Sequence, residues 1–97
     1  MKKENVLIPF PLGCTVATAG AIALMRSAGI GPLQLLSRHH CGDWGCVDAE
    51  DAASNDRAVR EGRRILSAYE LGPHREKVWL ITEADRSFTT ILLPSEY

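Results

Sequence analysis

The sequence predicts an α+β fold in which two to three N-terminal helices pack on a C-terminal three-stranded antiparallel meander. Apolar residues recur at helical spacing through the first part of the chain. The later part contains runs of β-branched and aromatic residues separated by short polar turns. Because the helices precede the strands instead of alternating with them, this order favours α+β over α/β.

Length and composition indicate one small globular domain covering residues 1–97. Hydrophobic residues make up 45% of the chain and charged residues 24%, values typical of globular proteins and not of disordered ones. The net charge of -1 gives no overall field that would attract nucleic acid or an anionic membrane, and it argues against a DNA mimic. Nucleic acid is therefore not an expected partner.

The cysteines and the amino terminus predict a cytoplasmic protein. Cys14, Cys41 and Cys46 are an odd number, more typical of free thiols in a reducing compartment than of a disulfide scaffold. The apolar stretch at residues 6–12 is short and is broken by Pro9 and Pro11, which disfavours a signal peptide. No apolar run approaches the roughly 20 residues that a membrane span requires.

Three helices are predicted from caps and apolar faces. The first should begin after Thr18 and end at Gly29, which suits a left-handed stop. Its apolar face comprises Ala21, Leu24, Met25 and Ala28.

The second helix should begin at Pro32 and end near residues 38–40. Its apolar side comprises Leu33, Leu35 and Leu36. The third should be capped by Asp48 and extend from Ala49 to about Gly62. Its expected inward residues are Ala49, Ala52, Ala53 and Val59.

The meander should contain a strand from Ile65 to Leu71 and a hairpin over residues 77–94. Residues 78–81 and 88–93 are the β-favouring runs of this hairpin, and polar residues 83–87 form its turn. Residues 6–10 could add a short edge strand, since Pro9 lacks the donor that a central strand needs. A three-stranded sheet leaves open edges, so a homodimer through the edge of the meander is also possible.

The densest group of potential metal ligands is the segment 39–46, with His39, His40, Cys41 and Cys46. Imidazole and thiolate are the ligands that zinc prefers, but three of these residues are adjacent, unlike the paired spacing of zinc motifs. The alternative is a structural one, in which the histidines cap the second helix and Trp44 fills the core. A third hypothesis is that Cys41 or Cys46 is a nucleophile with His39 or His40 as its base. Side chains of residues adjacent in sequence point apart, which disfavours such a pair.

Carboxylates suggest a second site. Asp43, Glu83 and Asp85 could hold a divalent cation, as in a small metal-dependent hydrolase or nuclease. The alternative is that Glu83, Asp85, Arg86 and Ser87 are turn residues that satisfy one another. The P-loop, GxSxG and HExxH patterns are all missing from the sequence.

A third candidate is a basic helix face formed by Arg57, Arg60, Arg63 and Arg64. Such a face could contact phosphates. Acidic residues lie within it, at Asp56 and Glu61, and no aromatic residues for base stacking are interleaved. A solvated helix end is therefore the alternative to a nucleic-acid-binding module.

Several segments resemble a family of small bacterial proteins carried on plasmids and integrative elements, often labelled plasmid-related. The matching parts are the GDWG segment at 42–45, Glu50-Asp51, Asn55, Gly62-Arg63, residues 66–69 and the C-terminal segment 79–97, which reads WLITEADRSFTTILLPSEY. The last of these is the most specific. The resemblance implies a bacterial cytoplasm and a mobile-element context. It implies no catalytic residue and no cofactor.

Taken together, these features predict a non-enzymatic accessory protein that binds a protein partner in maintenance, defence or counter-defence. The expected interaction surface comprises Asp43, Trp44, Glu83, Asp85, Arg86 and Ser87. No cofactor motif is present, and zinc is the metal that the segment 39–46 would suggest. The two classes of alternative function are the metal-dependent enzyme and the nucleic-acid-binding module described above.

Overall fold

A computed structural model of the protein describes residues 10–97. It has the α+β class that the sequence predicts, with three helices and one four-stranded mixed sheet. In chain order the elements are β1 (Cys14–Ala17), α1 (Ala19–Ala28), α2 (Pro32–His40), α3 (Ala49–Glu61), β2 (Ile65–Leu71), β3 (Glu76–Thr82), β4 (Phe88–Leu92) and a 3-10 turn, Pro94–Glu96.

The sheet has the strand order β1-β4-β3-β2. Strands β2, β3 and β4 form the predicted antiparallel meander. The expectation of a three-stranded sheet is wrong, because β1 pairs in parallel with β4 and makes the sheet mixed. This strand spans four residues and has no alternating pattern, so only its long-range pairing identifies it. The edge strand predicted at residues 6–10 lies outside the described residues except for Phe10, which is not in a strand.

The helix ends follow the predicted local signals. The Thr18 side chain accepts a hydrogen bond from the amide of Ala21 at 3.1 Å. Gly29 adopts φ 70°, and the Ile30 amide donates to the Met25 carbonyl at 2.9 Å, which completes the turn. Asp48 caps α3 by accepting from the Asp51 amide at 2.8 Å.

Two predicted helix faces need correction. Leu33 was expected on the apolar side of α2, but it is 75% exposed. On α3, Ala49 and Ala53 are exposed, and the buried residues are Asn55 and Ala58. The error arises because α3 packs along the edge of β2, where Asn55 has backbone groups to bond.

Register divides the sheet into two faces. The first face carries the side chains of Ile65, Ser67, Tyr69, Leu71, Val78, Leu80, Thr82, Thr89 and Ile91. The second face carries those of Val16, Leu66, Ala68, Trp79, Ile81, Phe88, Thr90 and Leu92. Helices α1 and α2 pack on the first face and form the main core. A smaller cluster joins Phe10, Trp44, Ala58 and Ile65 at the end nearest α3.

No single helix within residues 10–97 is long and apolar enough to span a membrane. Helices α1 and α2 would meet the length and composition requirement only together, across a bend of 102°.

Candidate functional site

A buried polar network lies between α2 and the first face of the sheet. His39, in the last turn of α2, is 0% exposed. Its Nδ1 lies 2.5 Å from the Ser67 hydroxyl on β2, and its Nε2 lies 2.9 Å from the Thr82 hydroxyl on β3. Thr82 in turn contacts the hydroxyl of Thr89 on β4 at 2.7 Å. The network therefore ties one helix to three strands.

The direction of each hydrogen bond follows from its far end. Thr89 donates its hydroxyl proton to the Leu12 carbonyl at 2.7 Å, since a carbonyl can only accept. Thr82 must then donate to Thr89, and so it accepts from Nε2–H of His39. In a neutral imidazole this leaves Nδ1 as the acceptor for the Ser67 hydroxyl, and all four groups then have hydrogen-bond partners.

The surroundings of His39 favour the same neutral form. Burial and, to a lesser extent, the neighbouring His40 lower its pKa from 6.5 to about 4. The rings of Phe10 and Trp44 lie 5.3 Å and 5.9 Å from the imidazole. A serine beside a histidine can act as a nucleophile and its base. Here Ser67 is also 0% exposed, so no substrate can reach the hydroxyl in this conformation.

The polar side chains of the GDWG loop form hydrogen bonds with other residues of the protein. Asp43 accepts from Nε of Arg38 at 2.7 Å and from the amide of Gly45 at 3.1 Å. The Arg38 hydrogen bond is the main reason that the pKa of Asp43 lies below its usual value. Trp44 is 6% exposed, and its Nε1–H donates to Asp56 at 3.0 Å. Little of the indole surface is left for a partner.

The carbonyl of Asp43 accepts from the Tyr69 hydroxyl at 2.6 Å. Tyr69 is 1% exposed, and burial raises its pKa to about 12. The phenol is therefore a fixed hydrogen-bond donor that holds the loop against β2.

The turn between β3 and β4 is organised by Arg86. Its guanidinium donates to the carbonyls of Ala58 at 3.0 Å, in the last turn of α3, and of Arg63 at 2.6 Å, just beyond the end of that helix. It also donates to the Glu83 carbonyl at 3.2 Å. Arg86 has φ 63°, an uncommon value for a residue with a side chain. These bonds explain why the turn tolerates it.

The neighbouring Asp85 and Ser87 satisfy each other, as the turn-residue reading predicts. Asp85 accepts from the Ser87 hydroxyl at 2.6 Å and from its amide at 3.0 Å. These hydrogen bonds lower the pKa of the Asp85 carboxyl. Phe10 connects this turn with the GDWG loop, since its ring lies 5.7 Å from the Arg86 guanidinium and 6.2 Å from the Trp44 ring.

The structure does not gather either predicted set of metal ligands into a site. Within residues 10–97, no three His, Cys, Asp or Glu side chains are placed to hold a metal ion. Both nitrogens of His39 are hydrogen-bonded, while Cys41 and Cys46 are exposed free thiols. Of the predicted carboxylates, Asp43 pairs with Arg38, and Glu83 lies 4.0 Å from Arg64.

The basic residues at the end of α3 are partly neutralised. Arg63 pairs with Glu61 at 3.1 Å, and Arg64 lies beside Glu83. Arg57 and Arg60 are exposed. The four side chains therefore do not form a uniform positive stripe.

Sequence reasoning missed an aromatic surface on the second face. Tyr97 is 66% exposed and Phe88 47% exposed. The Tyr97 ring meets Trp79 edge-on at 5.7 Å, and the Arg64 guanidinium lies 5.2 Å from the Tyr97 centroid. Phe88 shares the face of Trp79 by register, at the start of β4. We call Arg64, Trp79, Phe88 and Tyr97 the aromatic surface. The alternation of Phe88, Thr90 and Leu92 could have indicated that these side chains share a face.

Comparison of the chain with protein-family models, with curated proteins and with solved structures finds no match.

Proposed function

We propose that this chain is a non-enzymatic accessory protein of a bacterial mobile element, and that it binds a protein partner in the cytoplasm through the aromatic surface. The mobile-element context rests on the resemblance of the GDWG segment and the C-terminal segment. The observation that carries the binding proposal is the exposure of Phe88 and Tyr97 on the second face, where neither core cluster of the described residues lies. Large exposed apolar patches are uncommon on proteins without partners.

The chemistry of this surface suits a protein partner. Trp, Tyr, Phe and Arg are the residue types most enriched at the centres of protein interfaces. Charges of both signs border the surface, with Glu83 beside its Arg64 and Lys77 opposite Glu70 on the neighbouring strand. Such a balanced rim provides no field for a polyanion. The expected partner surface is apolar at its centre with mixed charges around it.

The interaction surface predicted from sequence receives less support. Trp44 is buried, and Arg86 uses its donors on backbone carbonyls. Of that set, Glu83 and Ser87 border the aromatic surface, Glu83 at 4.0 Å from Arg64 and Ser87 next to Phe88 in the chain. A metal-dependent hydrolase using Asp43, Glu83 and Asp85 is less supported for a related reason, because each carboxylate is engaged separately.

Site-specific photo-crosslinking in the bacterium that carries the element tests the proposal. A photoreactive amino acid at position 88 should give a discrete adduct with one protein. The same probe at position 53, which is exposed on α3, should not.

The adduct partner would then be purified and its affinity measured. Phe88→Thr and Tyr97→Ser should each weaken binding by about tenfold or more, as for interface centres. Ala53→Ser is the matched control and should not change the affinity. Equal affinities for all of these proteins, or equal adducts at positions 88 and 53, would overturn the proposed surface.

A further inference from the structure

The two edge strands of the sheet, β2 and β1, differ in whether their outward backbone groups are hydrogen-bonded within the described residues. The outer edge of β2 is closed at Leu66 and Ala68 by side-chain and loop groups. Asn55 accepts from the Leu66 amide at 3.2 Å and donates to the Leu66 carbonyl at 2.8 Å, so its amide replaces a neighbouring strand. Two positions on, the Ala68 amide donates to the Trp44 carbonyl at 3.1 Å, and its carbonyl accepts from the Cys46 amide at 2.7 Å.

The outer edge of β1 has no such closure among the described residues. The amides of Cys14 and Thr18 donate to the Ser87 and Ile91 carbonyls of the β4 side, at 2.9 Å and 3.0 Å. Because backbone groups alternate along a strand, those of Thr15 and Ala17 point away from the sheet. Strand β1 is short, at four residues, but it carries no lysine, proline or bulge, the other features by which exposed edges avoid pairing.

Apolar side chains flank this open edge on both sides. Toward the helices, Leu33 is 75% and Ile22 40% exposed. They border two shallow cavities of about 240 and 430 Å³ that Ala17 and Pro32 both line. On the second face, Val16 is 43% exposed. An added strand would therefore cover apolar surface above and below its backbone.

We propose that the occupant of this edge is the β1 strand of a second copy, paired antiparallel about a two-fold axis through Val16. In this register Thr15 of each copy pairs with Ala17 of the other, so all four outward backbone groups of each strand find partners. Both copies present Leu33 and Ile22 on the same side of the joined sheet, where they can cover each other.

Charge and closure favour a second copy over other occupants. Strand β1 is uncharged, and Arg26 is the one charged residue among those lining the two cavities, so pairing brings few like charges together. A two-fold interface uses the same edge twice and stops at a dimer. The closure of the β2 edge at Leu66 and Ala68 disfavours pairing of β1 with β2 of another copy, which would propagate a fibre.

This inference goes beyond the partner proposed above and does not depend on it. The dimer interface is the β1 edge, and its formation is measured with the purified chain alone. Tyr97→Ser should impair partner binding and leave the dimer intact. Loss of the dimer would therefore say nothing against the aromatic surface, and the reverse also holds.

A cysteine placed at the two-fold axis gives the sharpest test. In a background with Cys14, Cys41 and Cys46 replaced by serine, Val16→Cys places two thiols in a directly opposed pair that is not hydrogen-bonded. Their Cα atoms should be about 4.5 Å apart, within disulfide range. The control is Thr90→Cys, the β4 neighbour of Val16, whose mate would lie about 14 Å away across three strand spacings. Mild oxidation should cross-link the first variant and not the second.

Two further measurements complete the test: the mass of the wild-type chain in solution, and the effect of a charged residue placed at the two-fold axis. The wild-type chain should be a dimer by light scattering. Val16→Lys should convert it to a folded monomer, because two lysines would face each other, whereas Thr90→Lys should remain a dimer. A monomeric wild type would overturn the proposal, as would a dimer unaffected by Val16→Lys. Cross-linking of a photoreactive residue at position 16 to a different protein would show that another chain occupies the edge, and it too would overturn the proposal.

Discussion

Acid should destabilise this protein well above the pH at which carboxylates titrate, because His39 is held neutral inside it. The folded-state pKa of His39 is about 4, and its ordinary value is 6.5. The unfolded chain therefore takes up a proton as the pH falls through 6.5, while the folded chain does not until about pH 4. The contribution of the neutral imidazole is complete above pH 6.5 and is lost progressively between these two values.

The two pKa values set the size of the effect. A difference of 2.5 pH units between 6.5 and 4 corresponds to a loss of about 3 kcal/mol below pH 4, of which about 2 kcal/mol has occurred by pH 5. For a domain of this size, that loss should lower the melting temperature by about 10 °C between pH 8 and pH 5. The lowered carboxyl pKa values of Asp43, Asp85 and Glu96 add a further loss of stability at the acid end of this window, because it begins as the unfolded carboxyls protonate near 3.8 for Asp and 4.5 for Glu.

The assay is urea unfolding at pH 8, 6, 5 and 4, with His39→Gln and His74→Gln as paired variants. His39→Gln should be less stable at pH 8, but its unfolding free energy should change little down to pH 5. His74 is exposed, so His74→Gln should keep the wild-type slope. Nitrogen chemical shifts of the His39 ring should also report the Nε2–H tautomer. An equal wild-type stability at pH 8 and pH 5, or the wild-type slope in His39→Gln, would refute the reasoning.

Two further predictions concern backbone conformation. Gly45 and Gly62 have nearly the same φ, 76° and 71°, but a Cβ at Gly45 would lie 1.9 Å from the Ala68 carbonyl oxygen and one at Gly62 would meet nothing. Gly62→Ala should cost about 1 kcal/mol by thermal unfolding, and Gly45→Ala several times more; similar costs would contradict the steric argument. Arg86 and Arg75 both have positive φ, so Arg75→Gly should be neutral or slightly stabilising, whereas Arg86→Gly should cost about 2 kcal/mol because it also removes the carbonyl contacts. Equal changes in urea midpoint for the two arginine variants would show that those contacts contribute nothing.

Most of the fold could be predicted because its signals are local. Thr18 and Asp48 mark helix starts because their side chains accept hydrogen bonds from amides three residues later in the chain. Gly29 marks a helix end because glycine readily adopts the left-handed backbone conformation found there. Strands β2 to β4 follow one another through short turns, so their pairing is also local.

The errors occur where the position of a residue is set by contacts with parts of the chain that are distant in sequence. Strand β1 is a strand because β4, more than 70 residues later, offers it backbone partners. Asn55 is buried because the β2 edge has an amide and a carbonyl to satisfy, which no helical periodicity can indicate. Leu33 is exposed because the groove beside β1 is left open in the described chain.

Prediction of the candidate site from sequence is limited for the same reason, because hydrogen-bond partners cannot be read from local sequence. Sequence reasoning ranked residues by reactivity and therefore selected His39, Asp43, Asp85 and Arg86. In the structure, their polar atoms satisfy one another or nearby hydroxyl, amide and carbonyl groups. A small domain has few other groups with which to close its loops and helix ends, and an unsatisfied buried group costs more than a hydrogen bond returns.

The same reasoning explains why both binding proposals rest on apolar groups. Phe88, Tyr97 and Leu33 satisfy no buried polar group and remain 47%, 66% and 75% exposed. Exposure of large apolar side chains is unfavourable unless another surface covers them. If partner and second copy each cover their predicted part of this surface, the polar turns have a purely structural role, and substitutions there should reduce binding only in proportion to lost stability.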